Sequence, residues 1–149
     1  MKIRDVLNTK DFKYRTLVTI TQNESVSVAI QKMAEHDRGS IPVCNDRVEL
    51  VGIITERDIL RKCFVGSGDY VNKKIRDVMT KQVATAILED DLERAIATMK
   101  EKRIRHIPIV DENKVVGMIS MRDLLGFQYE ETKAEIRYAH FLPKKSKPW

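Results

Sequence analysis

Apolar residues fall in two helical stripes of the same shape. Val26, Ala29, Ile30 and Met33 lie at i, i+3, i+4 and i+7, and Leu92, Ala95, Ile96 and Met99 repeat that spacing. Such a stripe covers one face of an α-helix and marks that face for burial. Asn23 or Ser25 stands where it can cap the first helix, and Asp90 or Asp91 where it can cap the second. A short β-branched run precedes each helix, Leu17–Ile20 and Val83–Ile87. Two more apolar runs follow: Ser40–Val43 and Glu49–Ile54 around Asn45-Asp46-Arg47, then His106–Val110 and Lys114–Ile119 around Asp111-Glu112-Asn113. Further helices start near Thr55, carrying Ile59, Leu60 and Cys63, and near Ser120, the latter polar beyond Gly126 to about Tyr138. Each half reads as strand, helix, strand, strand, helix, an α/β unit of βαββα order.

The halves also match residue for residue. Ile3-Arg4-Asp5-Val6-Leu7 returns as Ile75-Arg76-Asp77-Val78-Met79, and Ile41-Pro42-Val43 as Ile107-Pro108-Ile109. Gly52-Ile53-Ile54-Thr55-Glu56-Arg57-Asp58 returns as Gly117-Met118-Ile119-Ser120-Met121-Arg122-Asp123. Pro42 and Pro108 are 66 positions apart, Gly52 and Gly117 65, and Asp5 and Asp77 72. The first copy therefore has one extra residue in the turn between Pro and Gly, and six extra within the polar stretch Asn8 to Thr16. Insertions between matching blocks are loops varying around a fixed core. A tandem repeat of this kind predicts two units packed about a pseudo-two-fold axis, with a groove between them suited to a small ligand. The division is 1–64 for the first repeat, 65–74 for a linker containing Gly66-Ser67-Gly68-Asp69, and 75–128 for the second repeat. Residues 129–149 form a C-terminal helix and a basic tail, whose last segment, Pro143 to Trp149, reads as extended or disordered.

Composition narrows the function classes. At 149 residues the chain holds one compact domain or two small ones sharing a core. No apolar run approaches the roughly 20 residues that cross a bilayer, and Met1-Lys2-Ile3-Arg4-Asp5 lacks the apolar stretch of a signal peptide. Cys44 and Cys63 have no metal-ligand or redox spacing, which predicts free thiols in a reducing cytoplasm. The net charge of +5 is mild, and its one local cluster is Lys100, Lys102, Arg103, Arg105 and His106. No helix-turn-helix, zinc-finger or aromatic RNA-binding signature accompanies that cluster, which argues against nucleic acid. His36 and His140 have no such context and read as surface residues.

The chemistry lies at two strand-to-helix junctions, Thr55 to Asp58 and Ser120 to Asp123, each a hydroxyl residue followed three positions later by an acid. One reading is a capping box, with the hydroxyl accepting from a free backbone N–H and the acid reaching back. The other is a ligand site. A helix N-terminus beside Arg57 or Arg122 suits a phosphate, and a carboxylate next to it can accept both hydroxyls of a ribose. No paired catalytic carboxylates, nucleophile elbow, P-loop or metal spacing is present, and neither Thr55 nor Ser120 has a candidate base in its sequence context. The expectation is a protein that is not an enzyme, with no catalytic cofactor and no metal.

The helix with Ala95 and Met99, then His106-Ile107-Pro108-Ile109-Val110, a turn, and Val115-Val116-Gly117-Met118-Ile119-Ser120-Met121-Arg122-Asp123-Leu124-Leu125, resembles the CBS domain, named after cystathionine β-synthase. The two copies together look like a Bateman module, over about residues 1 to 126. The resemblance implies a regulatory role and a ligand containing adenine: AMP, ADP or ATP, or else S-adenosylmethionine or NAD(H). It also implies clefts shared between copies. One would hold Thr16, Leu17, Val18, Arg38, Gly39, Ser40 and Ile41 with Ser120, Arg122 and Asp123. The other would hold Val83, Ala84, Arg105, His106 and Ile107 with Thr55, Arg57 and Asp58. The second has Arg105-His106 where the first has Gly39-Ser40, so it is expected to favour the more phosphorylated ligand. His106, with an unperturbed pKa near 6.5, is expected to carry part of that charge. Relatives pair into discs, which implies a homodimer through helix faces such as Ile59, Leu60, Leu124 and Leu125. The module would act on a separate partner in trans. The alternative is a ligand-free dimerisation or scaffold module.

Overall fold

The computed structural model describes residues 1–63 and 72–141. Gly66–Asp69 of the expected linker and the tail from Pro143 lie outside the described residues, as does the side chain of His140. In chain order the elements are α1 (Ile3–Leu7), α2 (Lys10–Lys13), β1 (Ile20–Thr21), α3 (Val26–His36), β2 (Ser40–Cys44), β3 (Leu50–Thr55) and α4 (Glu56–Cys63). The second copy follows as α5 (Ile75–Val78), β4 (Ala86–Ile87), α6 (Leu92–Lys102), β5 (His106–Asp111), β6 (Lys114–Ser120) and α7 (Met121–Phe141). Each copy builds a three-stranded sheet, ordered β1-β2-β3 or β4-β5-β6, with the first pair parallel and the second antiparallel. Both central strands shift register at the same place, Val43/Cys44 and Ile109/Val110. The sheets meet at their hairpins, where the Leu50 N–H donates to the Asn113 carbonyl at 3.0 Å. Among the described residues no helix is long and apolar enough to cross a membrane.

The first strand of each copy is shorter than its β-branched run suggests. Leu17–Ile20 reduces to Ile20–Thr21, and Val83–Ile87 to Ala86–Ile87. The parallel ladder begins only at Ile20↔Val43 and Ala86↔Ile109, one residue past Pro42 and Pro108. A proline has no N–H to give to a strand alongside it, so the ladder stops there. Ahead of it, the carbonyls of Thr16 and Thr19 accept instead from Arg38 (3.5 Å) and Lys32 (2.9 Å). The six-residue insertion forms the single turn α2, and the extra residue of the first copy falls in the hairpin before Leu50.

Two apolar clusters form the core, and each draws on both copies. Ile75, Val78 and Met79 complete the cluster of Val26, Ala29, Met33, Ile41, Val43 and Ile54. Ile3 and Val6 complete that of Leu92, Ala95, Met99, Ile107, Ile109 and Ile119. Three backbone hydrogen bonds fix each exchange. Ile75, Arg76 and Val26 donate to Glu24, Gln22 and Lys73 at 2.8–3.0 Å, and Ile3, Arg4 and Leu92 donate to Asp90, Leu88 and Met1, each at 3.0 Å. Val26 and Leu92 are the first residues of α3 and α6, whose N–H groups have no partner within their own helix. The exchanged segment supplies one. This takes over the part foreseen for cap side chains, since neither Ser25 nor Asp91 makes a side-chain cap bond.

Two expectations about packing are corrected. Of the paired stripes, Val26, Ala29, Met33, Leu92, Ala95 and Met99 are buried, but Ile30 is 38% exposed and Ile96 is only partly buried. The i+4 position sits at the margin of the buried stripe. Of the four leucine and isoleucine positions offered as uncovered faces, Ile59 and Leu124 are buried in the copies' own cores, whereas Leu60 and Leu125 remain 63% and 61% exposed. Successive helix residues point about 100° apart, so only one of each pair can turn inward. Cys44 and Cys63 are free and buried.

The exchange explains a repeated glycine. A Cβ at Gly52 would lie 2.6 Å from the Met79 sulfur and 2.9 Å from the Thr80 carbonyl oxygen, and one at Gly117 would lie 3.2 Å from the Leu7 side chain. At Gly52 the obstacle includes backbone locked by reciprocal Ile53–Thr80 bonds of 2.9 Å; at Gly117 it is the end of a flexible side chain. Gly52→Ala is therefore expected to destabilise the chain by about 1–3 kcal/mol, the usual cost of overpacking, and Gly117→Ala by clearly less. Urea denaturation of the two variants checks the order.

Candidate functional site

Both junctions fold as reciprocal caps. Thr55 donates through its backbone N–H (3.1 Å) and its hydroxyl (3.0 Å) to Asp58 Oδ2, and the Asp58 N–H donates to Thr55 Oγ1 at 3.0 Å. The Ser120 N–H donates to Asp123 Oδ2 at 2.9 Å, and the Asp123 N–H to Ser120 Oγ at 3.1 Å. The capping reading thus accounts for one oxygen of each carboxylate. The other oxygen decides what else the junction can do.

In each copy that other oxygen faces a segment leading into the first strand of the opposite copy. Asp58 Oδ1 accepts the Thr80 hydroxyl at 3.0 Å and pairs with Lys62 at 3.3 Å. Lys62 also donates to the Val78 carbonyl at 2.9 Å. Asp123 Oδ1 pairs with Arg15 at 3.0 Å. Thr80 lies three residues before Val83, and Arg15 directly before Thr16. Arg15, Lys62 and Thr80 escaped the sequence reading. Only Lys62 left a local signal, as a cation four residues after Asp58 on one helix.

No hydrogen bond or ion pair among the described residues joins Arg105 or His106 to Asp58, and the carboxylates that act on His106 are Asp123 and Glu56. Thr16, Leu17 and Val18 lie beside the end of α3, with Leu17 exposed and Val18 packed against the first core. Arg38 reaches the Thr16 carbonyl, Gly39 accepts the Glu56 N–H at 3.0 Å, and Ser40 and Ile41 are buried opposite Thr55 and Ile54. In the second copy Arg105 is exposed and its carbonyl accepts the Met121 N–H at 2.8 Å. His106 lies opposite Ser120, and Ile107 is buried. Val83 and Ala84 are partly buried, and Val83 lines a shallow groove of about 170 Å³ with Leu50, Val51, Lys81, Thr85, Val110 and Asn113. Arg57 and Arg122 are exposed beside their junctions. Glu56 adds an unforeseen carboxylate, 3.5 Å from where a Gly39 side chain would begin.

The pKa of His106 departs from its ordinary value. Burial, and then the Arg105 guanidinium, push its pKa below 6.5, outweighing the opposite pull of Asp123 and Glu56. The imidazole is therefore neutral at pH 7, and any charge it offers a phosphate is acquired on binding. Because the folded chain holds this proton less tightly than the unfolded chain, stability falls as pH drops below about 6.5 and levels off beneath the depressed value. His106→Gln should flatten this acid limb, as measured by denaturation midpoints between pH 7 and pH 5.

Comparison with known proteins follows the repeat. The CBS domain model matches residues 3–64 and again 75–130. An uncharacterized protein of Methanopyrus kandleri is 37% identical over 113 residues, covering 74% of this chain and 57% of its own length. A mitochondrial CBS domain-containing protein of Arabidopsis thaliana is 33% identical over 121 residues, covering 78% of this chain and 59% of its own. The chain thus spans a little over half of these two relatives. A solved CBS-domain protein from Burkholderia ambifaria superposes with a TM-score of 0.79 at 31% identity, over 88% of this chain and 96% of that one. A CBS domain pair solved in complex with 5′-methylthioadenosine and S-adenosyl-L-methionine superposes with a TM-score of 0.75 at 25% identity, over 88% of this chain and 98% of that one. With its two exchanged βαββα units and a family match in both halves, this chain belongs to the CBS domain family as a tandem, regulatory CBS pair.

Proposed function

We propose that this pair senses an adenine-containing ligand in clefts shared between its copies, and that it acts as a cytoplasmic, non-enzymatic regulator of a separate protein. AMP, ADP and ATP are the first candidates, with S-adenosylmethionine and NAD(H) behind them. One observation carries the reading. Each junction carboxylate meets the strand-leading segment of the opposite copy, Asp123 through Arg15 and Asp58 through Thr80, each at 3.0 Å. Acid, strand-leading backbone and helix N-terminus then stand together, which are the parts needed for ribose, base and phosphate. The adenosyl ligands held by the solved relative support the same ligand class. In this reading Asp58 and Asp123 accept ribose hydroxyls, while Arg57 and Arg105 offer cations to a phosphate in one cleft and Arg38 and Arg122 in the other.

A ligand-free scaffold is the competing reading, favoured by the fact that both oxygens of each carboxylate are already engaged within the chain. Thermal shift and calorimetry with AMP, ATP, S-adenosylmethionine and NADH separate the two. A sensor melts higher with its ligand, because binding favours the native state. Asp58→Asn and Asp123→Asn should each weaken one cleft about tenfold to a hundredfold, the worth of a charge-assisted hydrogen bond. Arg105→Ala should cost ATP more than AMP. A scaffold instead loses stability in the Asp variants and shows no ligand shift in any of them.

The second copy of this chain is the proposed first partner. Leu60 and Leu125 occupy equivalent places on α4 and α7 of the two repeats and are both exposed, so an association about a two-fold axis would cover both. Sedimentation should give a dimer at micromolar concentration. Leu60→Glu combined with Leu125→Glu should give a monomer of unchanged helical content.

A further inference from the structure

Arg15 belongs to the stretch that holds the six residues present only in the first copy. That stretch is docked, not loose. Its turn α2 places Phe12 against the core of the second copy, with Thr9 at the N-cap donating its hydroxyl to the Val6 carbonyl at 2.7 Å. Arg15 donates its N–H back to the Phe12 carbonyl at 3.0 Å, and its guanidinium lies 4.4 Å from the centre of the Phe12 ring. From this platform it reaches Asp123 Oδ1 at 3.0 Å, with the two side chains only 29% and 15% exposed. In the second repeat, six residues shorter over this stretch, the equivalent position is Lys81, which is exposed, and Asp58 is met instead by the Thr80 hydroxyl and by Lys62 of its own helix.

The geometry points to Arg15 as a specificity-determining latch on the Asp123 cleft, an inference that rests on the proposed nucleotide reading. A ribose can take the second oxygen of Asp123 only by displacing the guanidinium. A partly buried guanidinium that loses its carboxylate needs another anion. A phosphate on the same ligand supplies one, in the paired geometry that arginine favours. An uncharged nucleoside supplies none. The cleft is thus closed at rest, opens to adenosine monophosphates and higher phosphates, and discriminates against adenosine itself. Phe12 is a positioning residue that keeps the guanidinium on the line between the acid and the incoming phosphate.

Calorimetry with AMP and with adenosine tests this on wild type, Arg15→Gln and Arg15→Lys, the Asp123 cleft being the binding component that Asp123→Asn weakens. Wild type should bind AMP at least about tenfold more tightly than adenosine at that cleft, on the worth of one charge-assisted pair. Arg15→Gln should tighten adenosine and weaken AMP, so that the ratio collapses by about the same factor, and Arg15→Lys should restore part of it. An unchanged ratio in Arg15→Gln, or equal weakening of both ligands, overturns the latch while leaving nucleotide binding standing. Absence of binding of either ligand to wild type and to every variant overturns both readings together.

Discussion

Each hydrophobic core is closed by a helix from the other copy, and most of the structure depends on that exchange. A three-stranded sheet with one long helix leaves apolar surface at its open end. Here α5 seals the first sheet and α1 the second, burying Ile75 and Val78 on one side and Ile3 and Val6 on the other. The same exchange gives α3 and α6 a partner for their first N–H, so the segment that seals the core also starts the helix. Neither core is complete without a helix from the other copy. The exchange also places Met79 and Thr80, which follow α5, directly over the opposite sheet at Gly52, and Leu7, at the end of α1, over Gly117.

The site inherits its form from this crossing. Because the crossing chain must traverse the mouth of the opposite β-strand-to-helix junction, whatever residue it carries there meets the capping acid. In one direction that residue is Thr80, and in the other Arg15. The capping box holds one oxygen of each acid and fixes the carboxylate's orientation; the crossing chain sets what the other oxygen meets. Capping therefore does not exclude the proposed ligand binding, which would use the other oxygen of the same carboxylate. The two-fold symmetry is broken where the insertion lies, so the clefts differ in their resting partners as well as in the Arg105-His106 pair. The low pKa of His106 follows from the same enclosure: burial outweighs two nearby carboxylates.

The sequence by itself determined the repeat, the α/β order of each unit, and the two hydroxyl-x-x-acid junctions, since all of these are local patterns with a fixed period or spacing. It also located the insertions, because an offset between matched blocks is arithmetic on the chain. Tertiary structure decided the rest. Nothing in Ile3-Arg4-Asp5-Val6-Leu7 says which core it will enter, because an apolar helix face fits either of two similar clusters until the opposing sheet selects one. Pro42 and Pro108 cut short strands that their β-branched composition favoured, since a ladder needs donors on the neighbouring strand. Ile30 and Ile59 exchanged their expected exposures because burial depends on which surface faces each helix, a property of the packed pair. Arg15 stands 108 positions from Asp123, and no spacing rule links residues that far apart. Only the folded chain, with Phe12 seated in the opposite core, brings that charge to that acid.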